Sequence, residues 1–146
     1  MGFIGQFEYS LDDKNRVNIP AKFRKMLDVA SESSLILTLG VEKCISVYPA
    51  SHWQDEIKRL NNLDLTISEN RRYMRALAAN AFDSAIDKQG RIIIPNHLKD
   101  YAKLKKDVLI VGMFEKIEIW DKIEYDSVMG GTLSDLESVA TNVVKS

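Results

Sequence analysis

One stretch of this chain occurs twice. Asp12-Asp13-Lys14-Asn15-Arg16-Val17-Asn18-Ile19-Pro20 returns as Asp87-Lys88-Gln89-Gly90-Arg91-Ile92-Ile93-Ile94-Pro95, at a constant offset of 75 residues. The match runs past the motif: Phe7 pairs with Phe82, Leu11 with Ile86, and the stripe Phe23, Met26, Leu27 returns as Leu98, Tyr101, Ala102. Farther on the offset falls to 72, where Gly40 matches Gly112 and Ile45 to Tyr48 match Ile117 to Trp120, so the first copy carries the longer loop. A unit of roughly 50 residues is near the lower limit for a self-sufficient core, which makes the pair of copies the expected folding unit.

Each copy reads as strand, tight turn, strand, helix start. Phe3 to Leu11 alternates, with Phe3, Phe7, Tyr9 and Leu11 on one side and Gln6, Glu8 and Ser10 on the other, the pattern of a strand with one buried face. Asn15 and Gly90 supply the left-handed conformation that a tight turn needs. Val17 and Ile19 then face the core, and Pro20 opens a helix running to Leu27. Leu35 to Leu39 and Cys44 to Tyr48 read as a hairpin around Gly40 to Lys43.

The second copy repeats this order: Ala81 to Ile86, the turn at Asp87 to Gly90, Arg91 to Ile94, a helix from Pro95 to Lys103, and a closing hairpin of Val108 to Val111 with Ile117 to Trp120. Between the copies, Ser51 is placed to cap a helix through about Leu60, and Ser68 with Glu69 a second through about Ala79, with Arg71, Arg72 and Arg75 facing solvent. Asp121 is expected to cap a short helix to Met129, Gly130-Gly131 to end it, and Ser134 with Glu137 to form the capping box of a terminal helix. The expected fold class is α+β, mainly β: module 1 over 6–53, a helical linker over 54–80, module 2 over 81–124 and a tail over 125–146.

Composition is that of an ordinary globular chain, 45% apolar and 28% charged. No apolar run approaches the ~20 residues needed to cross a bilayer, and the N-terminus lacks a basic segment followed by an apolar one, so a cytoplasmic location is expected. Cys44, the lone cysteine, reads as a small buried hydrophobe. Net charge is −1, but its distribution is uneven. Lys14, Arg16, Lys22, Arg24 and Lys25 fall in a segment without acidic residues, whereas Asp121, Glu124, Asp126, Asp135 and Glu137 crowd the C-terminal end. A local basic surface of that kind is a polyanion footprint.

Catalytic chemistry finds little support. His52 and His97 stand in no metal-ligand spacing with each other or with Cys44, and no phosphate-cradling glycine loop occurs, so no catalytic residue, metal site or cofactor is expected. Asp12 and Asp87 make a poor acid/base pair, because an Arg four residues on depresses a carboxyl pKa rather than raising it. The Asp-x-x-x-Arg spacing instead allows each aspartate to brace its turn through a bidentate pair, presenting a rigid basic hairpin that fits the DNA major groove. Asp12 and Asp87 are thus the expected turn-bracing residues.

Leu11-Asp12-x-Lys14-x-Arg16-Val17-x-Ile19-Pro20-Ala21-x-Phe23-Arg24, with Arg71-Arg72-x-x-x-Arg75 and the second Asp87-x-x-Gly90-Arg91, resembles the MraZ family of bacterial division and cell wall cluster regulators. The likeness extends from about Phe3 to Tyr125, and each half is similar to the SpoVT/AbrB DNA-binding module, a swapped-hairpin structure that needs two copies to close. The resemblance implies a transcriptional regulator, usually a repressor of its own operon, that binds short direct repeats in promoter DNA. It also implies a homo-oligomeric ring, a nucleoid-associated location and no small-molecule substrate.

Carried onto this chain, the implied DNA-binding residues are Lys14, Arg16, Lys22, Arg24, Lys88 and Arg91. Two positions depart from the family pattern: Asn15 stands where the first turn usually has Gly, and Asp13 where a Ser is frequent. An antitoxin of the same fold with a protein partner is the alternative, against which count two modules and only a short tail; a purely structural ring scaffold is a third reading. Finally, Ile93 stands where the first copy has Asn18, so strand Arg91 to Ile94 is apolar on both faces and is expected to be covered on both. On that reading the first copy contacts DNA while the second serves assembly.

Overall fold

The computed structural model describes residues 2–145. The first copy supplies β1 (Gln6–Ser10), β2 (Arg16–Asn18), α1 (Ala21–Val29), β3 (Ser34–Leu39) and β4 (Ile45–Pro49). Two helices follow, α2 (Ala50–Asn61) and α3 (Ser68–Ala79). The second copy repeats the order with β5 (Phe82–Ala85), β6 (Arg91–Ile93), α4 (Asn96–Tyr101), β7 (Asp107–Met113) and β8 (Lys116–Asp121), and α5 (Lys122–Met129) and α6 (Leu136–Lys145) complete the chain.

The two copies are interlocked. A six-stranded antiparallel sheet has the order β1-β7-β8-β4-β3-β5, so each copy lends its first strand to the far hairpin: β1 pairs with β7, and β5 with β3. The remaining short strands, β2 and β6, pair only with each other. Both central pairings are symmetric under the repeat: Val17 faces its own counterpart Ile92, and Ser46 faces its counterpart Glu118. A pseudo-twofold axis therefore passes through the β2–β6 ribbon and the β4–β8 seam. This is the swapped-hairpin α+β architecture, with both halves closed within one chain.

One core serves both copies. Val17, Ile19, Phe23 and Leu27 are buried with Ile92, Ile94, Leu98 and Ala102, their repeat counterparts, and with Leu35, Val47, Ile110 and Ile119 from the sheet. Phe23 packs edge-on against Phe3 and Phe7, with ring centroids 5.1 and 5.2 Å away. Gly112 admits the N-terminal segment: a Cβ there would lie 2.6 Å from the Phe3 carbonyl oxygen and the Ile4 nitrogen. Burial pushes the Cys44 thiol up to about 12, with the Glu118 carboxylate adding to the effect.

Helix starts differ from the sequence expectation. Pro20, Pro49 and Pro95 each occupy the residue before a helix, not its first turn. Proline's fixed φ and its missing N–H suit that junction, and none of the three helices has a side-chain cap. Ser51 accordingly lies inside α2, where its hydroxyl donates to Glu32 Oε1 at 2.6 Å. Ser68 is the first residue of α3 behind Ile67, and the Ser134 hydroxyl donates to the Gly131 carbonyl instead of closing a capping box. Asp121 does cap α5: its buried carboxylate accepts from the backbone N–H groups of Ile123 and Glu124, and also from that of Lys105.

Arg71, Arg72 and Arg75 are exposed on α3, as expected. Arg71 donates to the carbonyls of Leu65 and Thr66, and Arg72 pairs with Glu69. Among the described residues no helix is long and apolar enough to cross a membrane.

Candidate nucleic-acid interface

Each turn is built by its aspartate. Asp12 Oδ1 accepts from the backbone N–H groups of Lys14 and Arg16 at 2.9 and 2.8 Å, while Oδ2 accepts from Arg16 Nε at 2.8 Å. Asp87 makes the same set with Gln89 N, Arg91 N and Arg91 Nε, at 2.9, 2.9 and 3.1 Å. The guanidinium is thus engaged through Nε alone, not bidentately as the spacing suggested. One carboxylate oxygen is taken by backbone donors, which leaves only the other for the side chain. Hydrogen bonds from the backbone N–H of Arg16, and then from its side chain and Lys14, hold the Asp12 carboxyl below the usual range. The Arg91 and Gln89 donors do the same for Asp87.

The turns are also locked to each other. Ile19 N donates to the Gly90 carbonyl and Ile94 N to the Asn15 carbonyl, both at 2.8 Å, so the symmetric bonds cross from one copy to the other. Asn15 takes φ 60° and Gly90 φ 78°, as the sequence suggests for this turn. Their surroundings differ. Asn15 Nδ2 donates to Asn96 Oδ1 at 2.9 Å, and its Oδ1 accepts from Lys99 Nζ. Gly90 lies beneath Arg24, whose Nε donates to the Ile19 carbonyl, and a Cβ at Gly90 would sit 2.7 Å from the Arg24 guanidinium carbon.

Pairing β2 with β6 puts both motif arginines on one surface. Val17 and Ile92 point inward and are buried, so the alternate residues Arg16, Asn18, Arg91 and Ile93 form the outer face of the ribbon. Arg16 is opposite Ile93, and Asn18 opposite Arg91. Arg91 Nη1 also lies 3.9 Å from Asp12 Oδ2, so the second arginine reaches the first aspartate. Lys14 and Lys88 are exposed on the turns and Lys22 on α1, whereas Arg24 is half-buried between α1 and the second turn. Within the chain Ile93 is covered on one side only: it is 51% exposed, because only one face of this short strand meets the core.

Sequence reasoning missed Asn96, Lys99 and Ser84. Lys99 is the repeat counterpart of Arg24, and that correspondence was the available signal. Ser84 grips the strand at Ile93 from both sides: its hydroxyl donates to the Ile93 carbonyl at 3.0 Å and accepts from the Ile93 N–H at 3.1 Å. No group of three or more His, Cys, Asp or Glu among the described residues could hold a metal ion.

A family model described as "MraZ protein, putative antitoxin-like" matches residues 3–76 and again 77–139. The chain belongs to the MraZ family. The two matched spans together cover both copies of the repeat, in keeping with the interlocked fold. Among MraZ relatives, the transcriptional regulator MraZ of Natranaerobius thermophilus is 39% identical over 142 residues, 97% of this chain and 96% of that protein. The transcriptional regulator MraZ of Pediococcus pentosaceus is 38% identical over 142 residues, with the same shares of the two chains. That of Caldanaerobacter subterraneus is 37% identical over 140 residues, 96% of this chain and 95% of that protein.

Proposed function

We propose that this chain is a DNA-binding transcriptional regulator whose β2–β6 ribbon enters the major groove. The observation that carries the reading is the placement of Arg16 and Arg91 on one ribbon face, diagonally across it, each held by its own aspartate. A two-stranded ribbon fits the major groove, and a preorganised arginine suits the N7 and O6 acceptors of guanine. Lys14 and Lys88 at the turns, with Lys22 and Arg24 on α1, flank the ribbon as phosphate contacts. The names of the relatives, transcriptional regulators, agree with this reading.

The finer proposal is repression of the chain's own operon through short direct repeats, by a cytoplasmic, nucleoid-associated homo-oligomeric ring larger than a dimer. Several identical readers on one body engage repeated sites at high effective concentration. Each chain would contribute modules at 6–53 and 81–124, joined by the linker 54–80 and followed by the tail 125–146. No catalytic step is assigned.

The deciding experiment is a footprint of the purified protein on DNA immediately upstream of its gene, followed over a salt series. If each reader neutralises about four phosphates, the log-log salt slope should be about −4 per reader. Affinity that does not change between low and physiological salt would remove the polyanion reading. A second reading, an antitoxin with a protein partner, is favoured by the wording of the family description and by the exposed Leu133 and Leu136 in the tail. Co-purification of a small toxin would support it.

A further inference from the structure

The ribbon's outer face is symmetric in its arginines and asymmetric in everything else. The pseudo-twofold axis exchanges Arg16 with Arg91, but it also exchanges Asn18 with Ile93, a polar amide with a branched hydrocarbon. Ile93 is not a stray surface residue. It stands across the ribbon from Arg16, on the same face as Arg91, with its backbone N–H and carbonyl both fixed by Ser84. The groups around it are charged or polar, which suits a polyanion with a small apolar feature better than an apolar protein surface.

In the major groove the thymine C5-methyl is that feature, and an apolar side chain is what reads it. We infer that Ile93 is a specificity-determining residue that packs on a thymine methyl next to the guanine read by Arg16, giving direction to an otherwise two-fold reader. The inference rests on the DNA-binding reading above. With asparagine at both positions the ribbon would present the same face in either orientation on the duplex. With Asn18 and Ile93, one half of the site favours a base that pairs with an amide, adenine, and the other favours thymine. A directional element is what a non-palindromic repeat requires.

The test uses the full-length protein and DNA from upstream of its gene, amplified with either thymidine or deoxyuridine triphosphate, which removes every C5-methyl and leaves all base pairing intact. Wild type should bind the uracil DNA more weakly, by about fourfold for each methyl contacted. Ile93→Ala should bind both DNAs alike, Ile93→Val should keep the thymine preference, and Arg16→Ala should lose affinity for both. Light scattering on each variant reports assembly. Equal binding of the two DNAs by wild type would overturn the inference, as would an Ile93→Ala protein that keeps the preference. An Ile93→Ala variant that changes subunit number would instead place Ile93 in a contact between copies. Failure of wild type to bind either DNA would overturn the DNA-binding reading itself.

Discussion

Lys99 Nζ donates to Asn15 Oδ1 at 3.0 Å and so ties the first turn to a helix of the other copy. The counterpart of Lys99 is Arg24 and that of Asn15 is Gly90, and there the longer side chain lies across a residue with no Cβ. The two turns thus reach one backbone shape with two matched sets of residues, which accounts for an asparagine in one turn where the other has glycine. Asn15→Ala keeps the left-handed φ without the side-chain partners and should destabilise the fold by about 1–2 kcal/mol. Asn15→Gly should cost less. Urea unfolding at fixed protein concentration reads both.

The two turn aspartates make stability depend on acid. Hydrogen bonds from the following Arg backbone lower both carboxyl pKa values in the fold. Their contribution is therefore fully present above about pH 4, where the same groups in the unfolded chain are ionised, and is lost as pH falls through the lower folded values. Unfolding midpoints measured from neutral pH to about pH 2 should fall less steeply below about pH 4 for an Asp12→Asn/Asp87→Asn double variant than for wild type.

Asp121 is nearly inaccessible and serves three backbone donors, at Lys105, Ile123 and Glu124. Asp121→Ala leaves those donors without their acceptor and should cost about 1–3 kcal/mol. Ser51→Ala and Ser68→Ala, at positions the sequence marks as caps, should cost well under half as much by the same denaturant assay.

Both arginines occupy one ribbon, so a division in which the first copy reads DNA and the second assembles finds no support in their placement. Arg16→Ala and Arg91→Ala should each weaken specific binding, since a lost bidentate guanine contact costs roughly 1–3 kcal/mol. Both should leave the subunit number unchanged. Gel shift beside light scattering separates the two effects. An Arg91→Ala protein that binds operator normally but dissociates into smaller species would restore the division of labour.

Local chemistry was readable in the chain, and long-range pairing was not. Asn15 and Gly90 marked the left-handed turns, Phe7 and Tyr9 the inward face of β1, and Asp121 a helix start, because each acts within a few residues of itself. Ser51 and Ser68 misled because a proline, or Ile67, already set the backbone that a capping side chain would have set. The approach of Arg91 to Asp12, and the exposure of Ile93, depend on β2 meeting β6 across the whole first copy. No local periodicity reports that meeting, so a two-faced apolar strand reads as covered when the chain itself covers one of its faces.

The exchange of first strands fixes an order of events on the ribosome. β1 leaves the tunnel before the seven other strands, yet its register partner for Gln6 is Val111. At ~5–20 residues per second of synthesis, it waits about 5–20 s for that partner. During the wait the edge of β1 is open, and on a messenger carrying several ribosomes the nearest complementary edge belongs to a sister chain slightly further along. Prompt closure within one chain therefore depends on how densely the messenger is loaded, and the first strand of the eight is among the last to reach its place.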